Sequence, residues 1–375
     1  MKGAQAATEA VPFFALDREF ESLREPLLET VEDVLRSGQL LQGPWIAELE
    51  RELATLAGRQ HAVALASCTD ALYFAFAALG VGAGDEVLVP DFSFAATASS
   101  VLRAGAVPVY VDVREGYELD LNHAAELLSP RTKALVFVDL YGRMGDAGAI
   151  ERFAAAHELL LVEDAAQTLG AVRDGRAAGS VGRVSCLSFD PTKVVSAPGN
   201  GGALLTDDEE IALTVRELRL HGKSRRGRFE RLGFNAQMSS LVAAVLSLKL
   251  RHEEPWLRAR QRAARAYGET LGPLDAVTPE QPHDREHVFH KYVLRVADRD
   301  AVRAALDERG IRTLVHYPTT LSALPFAAAA PHRGGGEGAA RFAQEVLSLP
   351  VHAHLRDDEI ERVCDALAEA VPPRS

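Results

Sequence analysis

Asp164 and Lys193 are the two residues whose types and setting point most directly to chemistry. Asp164 follows the apolar run Leu159–Val162 within Val162-Glu163-Asp164-Ala165-Ala166-Gln167. Lys193 closes Ser188-Phe189-Asp190-Pro191-Thr192-Lys193, shortly before Pro198-Gly199-Asn200-Gly201-Gly202. An acid ending a strand, then a lysine in a polar loop before glycines, is what a pyridoxal 5′-phosphate (PLP) site needs. A lysine amine condenses with the cofactor aldehyde. A carboxylate pairs with the pyridine nitrogen and keeps it protonated, so the ring can accept electrons. Each residue alone has a plainer explanation. Surface lysines are usually solvated, and an acid at a strand end often only caps or faces water. The strand before Lys193 and the glycines after it favour the chemical reading, because glycine permits the backbone angles of a tight loop.

Other residues fit the same scheme. Ser67-Cys68-Thr69-Asp70-Ala71-Leu72 joins a strand to a helix, and a helix start offers free N–H groups and a positive dipole end to a phosphate. A serine cap alone would also explain that turn. Gln167 could donate to the cofactor's phenolic oxygen. Glu163 should point to the opposite face of its strand from Asp164, which makes it structural. Ser188 could reach the phosphate while Lys193 reaches the aldehyde. Phe94 is either core or a plate stacked on the ring, and aromatic residues are mostly core. His316-Tyr317-Pro318 could line a substrate pocket or simply be buried. Lys223, Arg225, Arg226, Arg228 and Arg231 form a basic cluster, either solvated or able to hold an anionic substrate group such as a diphosphate.

The elements that position these residues alternate. Strands are expected at His61–Ala66, Glu86–Val89, Val107–Val111, Lys133–Val138, Leu159–Glu163, Val184–Phe189 and Gly202–Thr206. Helices are expected near Asp17–Arg36, Trp45–Leu56, Asp70–Leu79, Ala95–Arg103 and Gly148–His157. Such alternation implies right-handed crossovers and a largely parallel sheet. From Glu209 the pattern turns helical, with helices at Glu209–Leu220, Ser239–His252 and Leu257–Leu271. Then come a strand at Lys291–Val296, a helix at Asp300–Arg309, a strand at Thr313–His316 and a closing helix at Asp357–Val371. The expected fold is α/β: a large PLP-binding domain, residues 1–250, and a smaller C-terminal α/β domain, residues 251–375. The Ala- and Gly-rich stretch Ala327–Gly338 reads as a mobile surface loop.

Bulk properties narrow the classes. The chain has 375 residues, a hydrophobic fraction of 47% and a formal net charge of −12. That acidity argues against nucleic acid, which needs a basic footprint. Three cysteines, Cys68, Cys186 and Cys364, give no disulfide framework and suit a reducing cytoplasm. Residues 1–10 lack the apolar core of a signal peptide, and no stretch approaches the roughly 20 apolar residues of a membrane span. No cysteine or histidine spacing matches a zinc site. Walker A, strand-placed GxGxxG and GxSxG motifs are all missing, which counts against a nicotinamide-type dehydrogenase.

Together these residues resemble the DegT/DnrJ/StrS sugar aminotransferases, a branch of the fold-type I PLP enzymes related to aspartate aminotransferase. The resemblance runs from Val11-Pro12-Phe13 to Leu347-Ser348-Leu349-Pro350. It rests on the Ser67–Leu72 turn, Asp164 with Gln167, and Ser188 with Lys193. It implies transfer of an amino group from glutamate or glutamine to a keto sugar, often nucleotide-linked. A cyclitol acceptor is the alternative. It implies that Lys193 holds PLP and then acts as acid and base, that Asp164 pairs with the ring nitrogen and Gln167 with the phenolic oxygen, and that Phe94 stacks. Cys68 N–H, Thr69 and Ser188 would bind phosphate. Asn235 would bind it from the neighbouring subunit of a homodimer. Relatives that lose the lysine act as dehydratases, and a PLP-binding regulatory module without turnover is a further alternative. This chain departs from the family at Cys68 (commonly Gly), Asn200 (mostly an acid), Asp139 (commonly His) and Ala236-Gln237 (often Tyr-Arg). These positions are expected to flank the cofactor and substrate.

Overall fold

Eight strands share one sheet in the computed structural model, which describes residues 10–279 and 285–374. In chain order the strands of the protein are β1 (His61–Leu65), β2 (Glu86–Pro90), β3 (Val107–Val111), β4 (Thr132–Val138), β5 (Leu160–Asp164), β6 (Val172–Arg173), β7 (Arg176–Ala177), β8 (Val184–Ser188), β9 (Gly202–Thr206), β10 (Tyr292–Arg295), β11 (Arg333–Gly334) and β12 (Val346–Leu349). The large sheet runs β1-β9-β8-β5-β4-β2-β3-β11. Only β9 is antiparallel to its neighbours. The expected α/β fold with a largely parallel sheet is what the chain adopts.

The strands are almost wholly apolar because helices cover both faces. Helices Pro44–Ala57, Ala147–Ala156 and Ser240–Leu250 close one face around Leu49, Leu53, Ile150 and Leu246. Helices Cys68–Ala78, Ala95–Arg103 and Glu209–Leu218 close the other around Phe74, Phe76, Val101 and Val215. A separate core gathers Tyr267, Phe289, Tyr292, Leu306, Leu349 and Val363, with Val11 from the N-terminal side. Its sheet is the antiparallel pair β10–β12. Helix Glu253–Leu271 links the two regions. Trp256 and Leu257 pack in the first core, while Ala263, Ala264 and Tyr267 pack in the other.

Three expectations fail locally. The first helical pattern breaks at Leu23, where backbone angles leave the helical range, giving Leu16–Ser22 and Arg24–Ser37. Thr313–His316 is not a strand. Only Leu314 pairs, in an isolated bridge with Ser348, and the chain then diverts to carry His316 and Tyr317 toward the site. Val346–Leu349, which occupies the sheet position instead, was not expected.

The stretch Ala327–Gly338 is not a loose surface loop. Arg333 Nη2 pairs with Glu86 Oε2 at 2.6 Å and also donates to the Leu127 carbonyl. That contact makes β11 the parallel edge beside β3. Gly334 has φ +81°, and a Cβ there would lie 2.2 Å from the Tyr110 carbonyl oxygen, so only glycine fits. The Asp112 carboxylate accepts Gly338 N and Ala339 N, opening helix Glu337–Glu345. Composition read as mobility hid a stretch held by the carboxylates of Glu86 and Asp112.

Candidate active site

The site lies at the carboxyl ends of the parallel strands, where open α/β sheets bind ligands. β5 delivers Asp164 at its last residue, and β8 delivers Ser188 at its last residue. Beyond Ser188, Asp190 starts a tight turn. Its carbonyl accepts Lys193 N at 2.9 Å, and its Oδ1 accepts the Thr192 N–H at 2.9 Å and the Thr192 hydroxyl at 2.6 Å. Pro191 fits the second position of such a turn because its φ is already fixed there. The loop is closed by Ala197 N to Phe189 O at 2.8 Å and Phe189 N to Gly201 O at 2.9 Å. Lys193 therefore leaves a braced backbone.

Helix Cys68–Ala78 begins opposite. Ser67 Oγ caps it by accepting Asp70 N at 3.0 Å. The N–H groups of Cys68 and Thr69 have no intrahelical acceptor by geometry and are available to an anion. The Cys68 side chain is accommodated in the core beneath, at 8% exposure. β9 passes so close that a Cβ on Gly202 would lie 2.3 Å from both Cys68 N and Ser67 C. Glycine at 202 is what allows this turn to sit against the sheet.

These parts enclose a cavity of about 340 Å³. Cys68, Thr69 and Ser188 line it with Asp164, Gln167 and Lys193, and Phe94, His316 and Tyr317 complete the wall. Asn200 also lines it. Phe94 is 55% exposed rather than core, with its ring 6.0 Å from that of Tyr317. Gln167 Oε1 accepts Tyr141 N at 2.8 Å, which commits the carbonyl end and leaves Nε2 as donor, 3.4 Å from the Tyr317 hydroxyl. The Tyr141 hydroxyl donates to the His316 carbonyl.

Four of the sequence candidates, Asn235, Asp139, Ala236 and Gln237, lie outside this cavity. Asn235 is exposed, bridged to Leu220, and outside this cavity. Asp139 does not flank the site. Its side chain is buried, with Oδ1 accepting Gly145 N at 2.9 Å, and it shares a hydrogen bond with Glu163. The register places Val138 beside Asp164, so the next residue turns to the opposite face, toward Glu163. Glu163 is structural, as its strand position implied: it accepts Gly179 N, Val181 N and the Ser185 hydroxyl. Gln237 stands near the basic hairpin and holds Gln42 Nε2 at 3.0 Å.

Burial sets the electrostatics. It pushes the Asp164 carboxyl up, while the Thr97 hydroxyl at 2.9 Å, the Ala166 N–H at 3.3 Å and the charge of Lys193 pull it back. Burial pushes the Lys193 amine down from its usual range, opposed by Cys68, Asp164 and Asp190. A lysine amine so lowered is a better nucleophile at neutral pH. Burial also holds His316 neutral, at about 3, with Lys291 and Lys193 adding to the effect.

Sequence reasoning missed Thr97, whose hydroxyl orients Asp164, and Tyr141, whose N–H orients Gln167. It also missed His290 and Lys291, which face the same cavity. Thr97 lies three residues after Phe94, so the helical spacing there was the available signal. The others join the site only through the fold.

PLP fits this arrangement. Lys193, the buried Asp164 carboxylate and the start of helix Cys68–Ala78 face one cavity, and the missing Cβ at Gly202 lets that helix start sit against β9. The fold and site define a PLP-dependent enzyme in which Lys193 would hold the cofactor. A model of the DegT/DnrJ/EryC1/StrS aminotransferase family matches residues 21–368, and the chain belongs to that family. It is a PLP-dependent sugar aminotransferase.

Among relatives, the dTDP-3-amino-3,4,6-trideoxy-alpha-D-glucose transaminase of Streptomyces venezuelae is 38% identical, covering 98% of this chain and 97% of its own length. The UDP-2-acetamido-2-deoxy-3-oxo-D-glucuronate aminotransferase of Pseudomonas aeruginosa is 36% identical, covering 95% and 99%. The crystal structure of NtdA from Bacillus subtilis with bound cofactor PMP superimposes with a TM-score of 0.90 at 29% identity, covering 99% of this chain and 86% of that one.

Proposed function

We propose that this protein moves an amino group from glutamate or glutamine to the keto carbon of a nucleotide-linked sugar. The observation that carries the reading is that Lys193 and the buried carboxylate of Asp164 line one cavity. Relatives named for UDP- and dTDP-sugars support the acceptor class.

PLP, when bound, supplies an aldehyde to carry the amino group and a ring to take up the electron pair left as a C–H bond breaks. Lys193 Nζ would hold the cofactor and would serve as base and then acid for the proton that moves between cofactor and substrate carbons. Asp164, oriented by Thr97, would keep a proton on the ring nitrogen. Gln167 Nε2 would donate to the phenolic oxygen. The Cys68 N–H, Thr69 and Ser188 would bind phosphate. Phe94 would cover the ring, and His316 and Tyr317 would face the substrate.

Asn235 would complete the phosphate site of a partner subunit, so the working form would be a homodimer. Its surroundings support this: Phe229 is 70% and Leu232 86% exposed, an apolar tip that gains from being covered. The nearby cations of Lys223, Arg225 and Arg226 border a groove and suit a diphosphate. The same reading divides the chain near residue 250 into cofactor-binding and smaller units, supported by the separate apolar core of the latter. It also places the protein in the cytoplasm. In support, Cys68, Cys186 and Cys364 are unpaired, and among the described residues no helix is long and apolar enough to cross a membrane.

The test is spectroscopic. Glutamate or glutamine should bleach the visible band of the purified holoenzyme, and one member of a panel of keto sugars, sugar nucleotides and keto cyclitols should restore it. No bleaching by either amino acid would sink the donor assignment. Recovery with a cyclitol alone would replace the sugar acceptor.

A further inference from the structure

Lys291 carries a buried amine that the mechanism above leaves unused. It lies immediately before β10, is 4% exposed, and its backbone N–H donates to the Tyr141 carbonyl at 3.1 Å. The side chain lines the cavity of Lys193 and Asp164, and it also lines a neighbouring cavity of about 220 Å³. Its Nζ lies 4.5 Å from the Phe14 ring centroid and 5.4 Å from that of Phe13. Its Nζ thus packs against aromatic faces. Among the described residues no carboxylate forms an ion pair with it.

A lysine is rarely this buried without a partner, because an unpaired charge in a shielded site is costly. Aromatic faces compensate only in part, at about 0.5–2 kcal/mol. The neighbouring charges deepen the imbalance. Burial holds the amine well below its ordinary range, Lys193 and Arg260 push it further down, and Asp190 opposes them, so an arriving carboxylate would restore its charge. Arg260 spends its own donors on the Phe289 and Val351 carbonyls. An anion entering the cavity would find a field already built for it.

We propose that Lys291 recognises a substrate carboxylate, holding it beside Lys193 during amino transfer. The inference rests on the aminotransferase reading above and names a residue for its substrate. The carboxylate has two possible sources: the α-carboxylate of the amino donor, or the carboxylate of a uronate-type keto sugar. A single ammonium with three donors serves either.

The experiment compares wild-type holoenzyme with Lys291→Met, which keeps the stem and removes the charge, and with Lys291→Gln as a second variant in case Met fails to fold. In the donor half, the concentrations of L-glutamate and L-glutamine giving half-maximal bleaching are measured. In the acceptor half, enzyme loaded with pyridoxamine phosphate is titrated with a keto-sugar nucleotide bearing a C-6 carboxylate and with its 6-deoxy counterpart. Glutarate, a non-reacting dicarboxylate, is followed by its shift of the melting temperature.

Removing a charge-assisted contact should raise the half-maximal concentration at least about tenfold, with the limiting rate within about threefold and the visible band unchanged. A shift for both amino acids alone assigns the donor. A shift for the uronate alone assigns the acceptor. Glutarate should stabilise wild type and not the variants, whether or not any substrate turns over. No shift for any ligand, equal shifts for all four substrates, or loss of the visible band would overturn the proposal. Failure of the wild type to bleach with either amino acid would instead count against the donor assignment, leaving the acceptor and glutarate arms to judge Lys291.

Discussion

Thr97 Oγ1 donates to Asp164 Oδ2 at 2.9 Å, joining a helix start to a strand end beneath the cavity. Ser93 Oγ stands 3.3 Å from the same hydroxyl. These contacts aim the carboxylate into the cavity.

Thr97→Val should slow amino transfer about tenfold, the effect of one lost hydrogen bond to a charged group. Asp164→Asn should cost roughly 10²-fold or more, since it removes the charge opposite the ring nitrogen. Single-turnover rates with glutamate give the order. A Thr97 variant slower than the Asp164 variant would contradict the assigned roles.

Lys193→Ala should abolish the borohydride-trappable link to PLP and reduce turnover roughly 10²–10⁴-fold, the usual range for a lost acid/base group. Peptide mapping after reduction of the wild type should place the label on residue 193. A label on Lys291 or any other lysine would refute the site.

Gly202→Ala should weaken PLP binding. The backbone there does not require glycine's positive φ, so only space is at stake. The added methyl would meet Cys68 N and Ser67 C at 2.3 Å and must displace the Ser67–Thr69 turn. Overpacking of this kind costs typically about 1–3 kcal/mol. Titration of the apoprotein with PLP, with melting as a control, should show a clearly raised dissociation constant. Unchanged affinity would mean the turn does not hold phosphate.

Asp139→Asn should stabilise the protein at higher pH. Burial and the adjacent Glu163 push the Asp139 carboxyl well above its ordinary value. As two carboxylates the pair would leave Asp139 Oδ2 without a donor; a proton on Asp139 removes that defect. The folded state therefore holds the proton more tightly than the unfolded chain. That stabilisation is complete below the unfolded value of about 3.9 and is lost as pH rises through the folded value. Asparagine supplies a permanent donor toward Glu163 and keeps the acceptor for Gly145 N. The melting midpoint of the variant relative to wild type should rise between pH 5 and pH 8, by about 2 °C or more. A difference independent of pH would show that Asp139 is already ionised.

Much of the site was legible because its chemistry is local. Lys193 with its preceding Asp-Pro-Thr turn, Asp164 at a strand end and Ser67 at a helix start each carry a short-range signature. Phe94 was ambiguous, since an aromatic residue gives the same pattern in a core or over a ring. Asp139 misled because one step along a strand reverses the face, and only the register with β5 shows which face holds the cavity.

The sequence by itself determined the alternation of strands and helices, the acid–lysine pair and the capped helix start at Ser67, because hydrophobic period and capping chemistry act over a few residues. Tertiary structure alone decided that Lys291, His316 and Tyr317 meet Lys193 across the sheet edge. It also decided that Arg333 turns an Ala- and Gly-rich stretch into an ordered strand against Glu86. Those contacts join segments far apart in the chain, and the packing of two apolar cores, rather than any local pattern, brings them together.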